Sequence, residues 1–297
     1  MISVRDIIQS FPVIKFEGNE NDIITDIIKL DASNKRKDVL CWCNSKNVEL
    51  LLNVDSGTII IPETGLAFAS KTGCNYIVVE NPRNFFNAVL LKYFHRSLGG
   101  PHISEKASIH SSVKRGSDLL IEAGVVIHEN CVIGNNAKIL NNTIIYPNTV
   151  IEDNVTIGAN NVLGFYGFGY EKDEAGNYVL MPHIGNLIIR SHVEIGNNNC
   201  IDRSVLGSTI IGSHSKIHNF VQVAHGVQIG SNCLITANVT ISGGTNIGNN
   251  VWIGPGVTII NKLTIGNEAH LSVGSVIFTD VPENATVVGN PARIMKK

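Results

Sequence analysis

The chain carries no basic excess. Its formal net charge is −2, so the electrostatic footprint of a nucleic-acid-binding surface is missing. No apolar stretch approaches 18 uninterrupted residues, and no transmembrane helix is expected. The opening residues, MISVRDIIQSFPVIKFEGNE, show no basic segment leading into a long apolar run, so no secretory signal is read there. The six cysteines, at 41, 43, 74, 131, 200 and 233, are too scattered for a disulfide framework and read as reduced, structural thiols. Cys41-Trp42-Cys43 invites a metal reading, but no second cysteine pair accompanies it; alternation along a strand accounts for it better. These absences lead us to expect a cytoplasmic protein with no metal, no nucleic-acid partner and no membrane insertion.

What is present is a rhythm. Every sixth residue from Ile211 to Ile277 is a large aliphatic. If a third of all residues were aliphatic, twelve consecutive hits would arise with a chance on the order of 10⁻⁶, and a fixed period of this kind marks a solenoid. Gly follows the aliphatic at 212, 230, 248 and 266, so the pattern also repeats every 18 residues. Three six-residue units therefore close one turn, and like positions stack in columns. The same step runs from Ile121 through Ile127, Ile133, Ile139, Ile145, Ile151 and Ile157 to Leu163. It breaks over 164–188, which reads as a loop thrown out of the solenoid. It resumes at Ile189, slips again near Leu206–Ile210, and locks at Ile211. Each unit is read as a short strand and a corner, with one side chain pointing inward. Asn and Gly at the corners tolerate positive φ. About nine turns at roughly 4.8 Å each give a prism about 43 Å long.

Residues 1–98 lack the rhythm and read as a separate α/β domain. Val4–Phe11 has helical spacing, and Val39–Cys43, Thr58–Ile61 and Tyr76–Val79 read as short buried strands. Asn81-Pro82 opens a helix through about Phe94, with Asn as cap and Pro in the first turn. Leu98-Gly99-Gly100-Pro101 is the linker. The solenoid domain spans 101–280, and 281–297 forms a C-terminal cap.

Several stretches carry a resemblance. They are Gly167-Phe168-Gly169-Tyr170, Met181-Pro182-His183-Ile184-Gly185, Val193-Glu194-Ile195-Gly196, Ile201-Asp202-Arg203, and Asn219 with Gln222-Val223-Ala224-His225. The chain resembles the hexapeptide acyltransferases, and within them UDP-3-O-acylglucosamine N-acyltransferase of the lipid A pathway, over about residues 1–240. The resemblance implies a left-handed parallel β-helix, assembled as a homotrimer with active sites between subunits. It implies His225 as catalytic base. The column arithmetic adds a separate point: 225 + 18 = 243, so Gly243 stacks over His225, where the family places its oxyanion-stabilising Gly N–H. The column continues with Asn261 and Thr279, a polar edge where the family lays the pantetheine of its acyl donor. Gly167–Tyr170 and His183 are expected to close over the acceptor sugar, with Asn219 orienting it. An imidazole titrating near pH 6.5 suits removal of a proton from an attacking amine. No Cys or Ser sits in the His225 column, so direct attack on the thioester is expected.

Two departures shape the functional expectation. The lipid A enzymes sandwich uracil between a Phe and a Tyr with an Asn between; the aligned positions here read Cys41, Asn44 and Asn47. Asn44 is kept for the nucleotide and both rings are gone. The chain's ending, with Gly289-Asn290-Pro291-Ala292-Arg293, is similar to that of coenzyme A-dependent sugar acyltransferases, where this segment lies near the cofactor; a simple solenoid cap explains it equally well. The expected activity is therefore N-acyl transfer of a short group, acetyl or 3-hydroxybutyryl, from acyl-coenzyme A to a nucleotide-linked amino sugar. A dTDP-linked 3-amino-3,6-dideoxyhexose for surface polysaccharide is the first choice. Gly243, Asn261, Thr279 and Arg293 would line the coenzyme site. The alternatives are the lipid A transferase itself, using acyl carrier protein, and a non-catalytic scaffolding solenoid. A zinc carbonic anhydrase on the same fold needs two His five residues apart, and no such pair exists here.

Overall fold

The computed structural model describes residues 1–31, 33, 35–69, 71–95 and 98–295. The chain divides into two compact units, Met1–Leu98 and Gly99–Lys297.

The first unit is built on a five-stranded sheet. In spatial order its strands are Lys15–Glu17, Cys74–Val78, Gly57–Ile61, Val39–Trp42 and Asp26–Ile27. All neighbours run parallel except the Lys15 edge strand. The side-chain period of two decides which face each residue serves. Cys41, Ile59, Ile61, Tyr76 and Val78 share one core layer. Leu40, Ile60 and Ile77 face the other way and pack on Val4, Ile7, Phe85 and Val89 of two helices. Helix α1 (Val4–Ser10) begins with a capping box in which Ser3 and Asp6 satisfy each other's backbone N–H. Helix α2 (Pro82–Val89) starts where the sequence places it, with Asn81 Oδ1 accepting from Asn84 N at 3.1 Å. It ends sooner than expected; residues Leu90–Phe94 continue as a wider π-helical turn.

The second unit is a left-handed parallel β-helix whose coils form three parallel sheets. One inward column runs through Ile121, Ile139, Ile157, Ile195, Ile217, Ile235, Ile253 and Leu271, and each is paired to the next. The other two sheets carry Ile127 to Ile277 and Ile133 to Ile265 in the same way. These side chains are almost wholly buried and make one continuous core. Corners reverse the chain with a residue near φ +60°, as at Asn130, Asn136, Asn142, Asn148 and Asn154. That region costs most residues roughly 1–2 kcal/mol, which explains the abundance of Asn there. Corner amides also bridge successive coils: Asn249 N donates to Asn267 Oδ1 at 2.8 Å, and Ser231 N to Asn249 Oδ1 at 2.8 Å.

The two irregularities in the rhythm have simple geometric meanings. Thr156 pairs with Glu194, 38 residues on, so one coil carries 20 extra residues. Glu194 pairs with Lys216, 22 on, so the next coil carries four extra. The ejected part, 166–185, is shorter than the expected loop at 164–188, because strands take up both ends of it. Strand Val162–Phe165 leaves the coil, strand Asn186–Ile189 rejoins it, and the ejected part contains a hairpin pairing Tyr170–Lys172 with Tyr178–Leu180.

Because each coil touches only its neighbours, core damage is local but still destabilising. Ile151, fully buried between Ile133 and Ile189, tests this. Ile151→Ala is expected to lower stability by roughly 2–5 kcal/mol in urea denaturation. A loss below about 1 kcal/mol would show that the column is not the load on which the helix rests.

Candidate active site

Both insertions fall at one corner of the prism. The 20-residue excursion lies between Leu163 and Ile189, and the four-residue one between Ile201 and Ile211. His225 sits on the next coil, between Val223 and Ile229. Leu163, Ile201 and Val223 are successive rungs of one sheet. Ile189, Ile211 and Ile229 are successive rungs of another. The corner is stapled by Arg203, a buried side chain. Its Nε donates to Gly164 O at 2.6 Å and its Nη2 to Pro147 O at 2.7 Å. The guanidinium also lies 5.5 Å from the Tyr166 ring centroid. The return of the loop is held by Ile184 N and Gly185 N, both donating to Val205 O at 3.0 Å. The ejected segment thus folds back over the coil that carries His225.

Gly243 lies on the coil above. A Cβ placed on it would stand 2.9 Å from both Cε1 and Nε2 of His225, so only glycine leaves the imidazole its space. Gly244 N donates to His225 O at 3.0 Å and fixes the two coils in register. The Gly243 N–H has no hydrogen-bond partner among the described residues and is a donor available to a ligand. On the other side, a Cβ on Gly167 would stand 2.9 Å from His225 Cβ and Cδ2. The ring is therefore held between two glycines, one from the coil above and one from the loop. It opens on a cleft of about 600 Å³ lined by Asp202, Gln222, Gly243, Asn261 and Lys262, with Phe168 at its rim. Clefts of this size with a few convergent polar groups suit small-molecule ligands.

Residues 130–165, 208–243 and 244–279 match the bacterial transferase hexapeptide (six repeats) family. The chain belongs to that family. It is 35% identical over 237 residues to UDP-3-O-acylglucosamine N-acyltransferase of Protochlamydia amoebophila, covering 72% of this chain and 66% of that protein. It is 41% identical over 201 residues to UDP-3-O-acylglucosamine N-acyltransferase 1 of Legionella pneumophila, covering 62% and 56%. A shorter match, 49% over 72 residues, covers 24% of this chain and 21% of the enzyme so named in Francisella tularensis. The alignments thus span between about a fifth and two thirds of these relatives' lengths. Among solved structures, the UDP-N-acetylglucosamine acyltransferase of Francisella novicida shares the fold at a TM-score of 0.60 and 22% identity, covering 65% of this chain and 70% of that one. LpxA of Acinetobacter baumannii aligns at 0.56 and 25%, covering 65% and 73%.

Within this hexapeptide-repeat chain, His225, Gly243, Asn261 and Phe168 come together at the cleft. Other expected site residues lie elsewhere. Thr279 and Arg293 line a separate recess of about 250 Å³ with Phe278 and Ala292. Asn219 belongs to the corner ladder: its Oδ1 accepts from Asn197 N at 2.7 Å and is not turned to the cleft. His183 is buried beneath the loop, so it is not a contact surface for a sugar. Its Nδ1 bonds Met181 O at 2.8 Å, its Nε2 is buried without a partner, and its ring stands edge-on to His225 with centroids 5.4 Å apart. Gly169 approaches that ring, and Tyr170 packs on Phe168 at 5.0 Å, away from the cleft lining. Asn44 sits in the first unit, where its Oδ1 accepts from Lys46 N at 2.9 Å. Cys41, beside it in sequence, points into the core and its thiol meets Thr58 O. Asp202 and Gln222 are cleft residues that the sequence reading quoted among the resembling stretches but gave no role. Their signal was position: each follows or precedes an inward aliphatic on the sheet that leads into His225.

The imidazole of His225 is held below its ordinary pKa, chiefly by burial and then by the neighbouring His183. Both effects penalise the charged ring, so His225 is neutral and able to accept a proton at neutral pH. Its ring signals in an NMR titration are expected to show a midpoint below about 6.5. Replacing His183 by Gln should raise that midpoint part of the way back, because burial remains. A midpoint above the ordinary value, or one that falls in the variant, would contradict this account of the pair.

Proposed function

We propose that this chain is an N-acyltransferase that moves an acyl group from a thioester to the amine of a nucleotide-linked amino sugar. The acceptor class favoured is a UDP-linked 3-O-acylglucosamine, which supersedes the dTDP-linked sugar as first choice because the relatives' names describe that reaction. The observation that carries the proposal is the imidazole of His225 packed against Gly243 in one cleft, with the Gly243 N–H unpartnered among the described residues. A base and an oxyanion donor beside one cleft are the two parts that direct aminolysis of a thioester requires. The amine attacks the thioester carbon, and the carbonyl electrons move to oxygen. Gly243 N–H stabilises that charge, and one such donor is worth about 3 kcal/mol in comparable sites. His225 takes a proton from the nitrogen and returns it to the departing sulfur. Asn261 and Lys262 offer polar contacts for the donor's chain on the coil above. The donor is an acyl carrier protein or coenzyme A thioester, and trimer assembly belongs to the same proposal.

One observation favours the second reading, a short acyl group delivered to a dTDP-linked amino sugar. Cys41 faces the core of the first unit, and Trp42 is half-buried against Phe86 with centroids 6.1 Å apart. No flat pair stands at Cys41 and Asn47 to sandwich uracil, so a different base or mode of binding fits this chain.

Turnover measured with both acceptors, each with acyl carrier protein and coenzyme A donors, separates the readings. His225→Asn is expected to reduce turnover by about 10²–10⁴-fold with the melting temperature unchanged. An unchanged rate would leave the solenoid as a scaffold.

A further inference from the structure

Asp202 is a carboxyl with an unusual setting. It follows Ile201, and Ile201 pairs with Val223, so Asp202 lies beside Ala224 and one residue from His225. It lines the same cleft as His225 and Gly243. Its neighbour Arg203 does not neutralise it, because that guanidinium is spent on the carbonyls of Gly164 and Pro147. Among the described residues its hydrogen-bond donor is Gln222, whose Nε2 is 3.2 Å from Oδ2, and nothing pairs with it as a salt bridge. A carboxyl turned into a ligand cleft without a paired cation is costly unless a ligand supplies one.

We infer that Asp202 is the receptor and first base for the acceptor's ammonium group, so that the cleft selects a cationic primary amine. The inference rests on the acyl-transfer reading and supplies a proton balance which that reading leaves open. A sugar amine flanked by oxygen-bearing carbons titrates near the α-amino range, about 8, and arrives mostly as –NH₃⁺. To become an amide it must lose two protons, and His225 handles one. In the first step an N–H bond of the ammonium breaks and its proton passes to a carboxylate oxygen of Asp202, leaving the nitrogen lone pair free. That pair attacks the thioester carbon, and the tetrahedral intermediate gives its second proton to His225. The C–S bond then breaks, and the thiolate leaves with the proton from His225. The net products are amide, thiol and one proton, which Asp202 releases to solvent.

Burial raises the carboxyl of Asp202 to about 7, with the Gln222 contact opposing the rise. Its proton affinity is then within about one unit of the amine's, so the transfer is easily reversible. The other ionisable groups around it are Cys200 on its own strand, His225 and Lys262 in the cleft, and the committed Arg203. Cys200 is itself held protonated, first by burial and then by Asp202, so it competes for no proton.

The test uses the full chain with two pairs of probes at pH 7.5: UDP-glucosamine against UDP-glucose, and a dTDP-linked amino sugar against its hydroxyl counterpart. Calorimetry is expected to show at least about tenfold tighter binding of the amine in one pair, an effect of the size of one charge-assisted contact. Asp202→Asn should bring that ratio to about one, and Asp202→Glu should retain part of it. Turnover with the amine should also lose its acid limb near pH 7 in Asp202→Asn. No amine preference, a preference that survives Asp202→Asn, or no measurable binding of either amine would overturn the inference. An Asp202-dependent preference without His225-dependent turnover would keep the ammonium site and sink the acyl-transfer reading.

Discussion

The structure depends on one constraint: parallel strands in successive coils must stay in register. Each inward Ile pairs with the Ile of the coil below and the coil above, and the core is continuous only while that holds. A residue inserted within a strand would turn its inward side chain outward and open the column. Extra residues can therefore enter only at corners, where the chain already leaves the ladder. Here 20 and four residues enter at the same corner on adjacent coils. The next coil up carries His225. The regular lattice thus supplies rigidity, while its departures supply a loop that walls off the imidazole. Arg203 makes the arrangement durable by binding the carbonyls that the departing strand leaves unpaired.

The same constraint explains why Gly243 is glycine. At this corner the His225 ring lies across the next coil, where a Cβ on Gly243 would stand 2.9 Å from it. Gly243 yields the space that His225 fills, and the N–H it exposes faces no coil partner. Steric need and the proposed oxyanion contact coincide in one residue. A larger residue there would displace the ring and also deprive the cleft of an approachable backbone donor.

The period of six in the sequence identifies the β-helix, its three faces and the pairing of 225 with 243, because regular burial writes itself directly into residue type. What it hides is anything decided by the irregular coils. A step of 18 from Asp202 leads to Phe220, on the wrong part of the coil; the true offset is 22, and only that places Asp202 beside Ala224. The column through Asn261 to Thr279 is real as a register, yet Thr279 opens into a different recess. His183 and Asn219 carry side chains that suit substrate binding, but one is buried by the folded-back loop and the other accepts from Asn197 N of the preceding coil. Residue type reports capability. Occupation by a neighbouring backbone group is a matter of three-dimensional geometry that periodicity does not encode.

Burial is the largest cause of the shifts at His225 and Asp202, and it moves them in opposite directions. A poorly solvated cleft disfavours charge, which lowers the proton affinity of an imidazole and raises that of a carboxyl. In water the two groups differ by between two and three pKa units, with the imidazole the stronger base. In this cleft the carboxyl is raised to about 7 and the imidazole is lowered from its ordinary value, so the order is reversed. Burial is the larger cause of both shifts, and His183 adds to the fall at His225. A β-helix edge left bare would keep its carboxyl permanently ionised and its imidazole more often protonated. The folded-back segment between Phe165 and Asn186 therefore bears on the electrostatics of the corner as well as on its shape, because limiting water there shifts both groups.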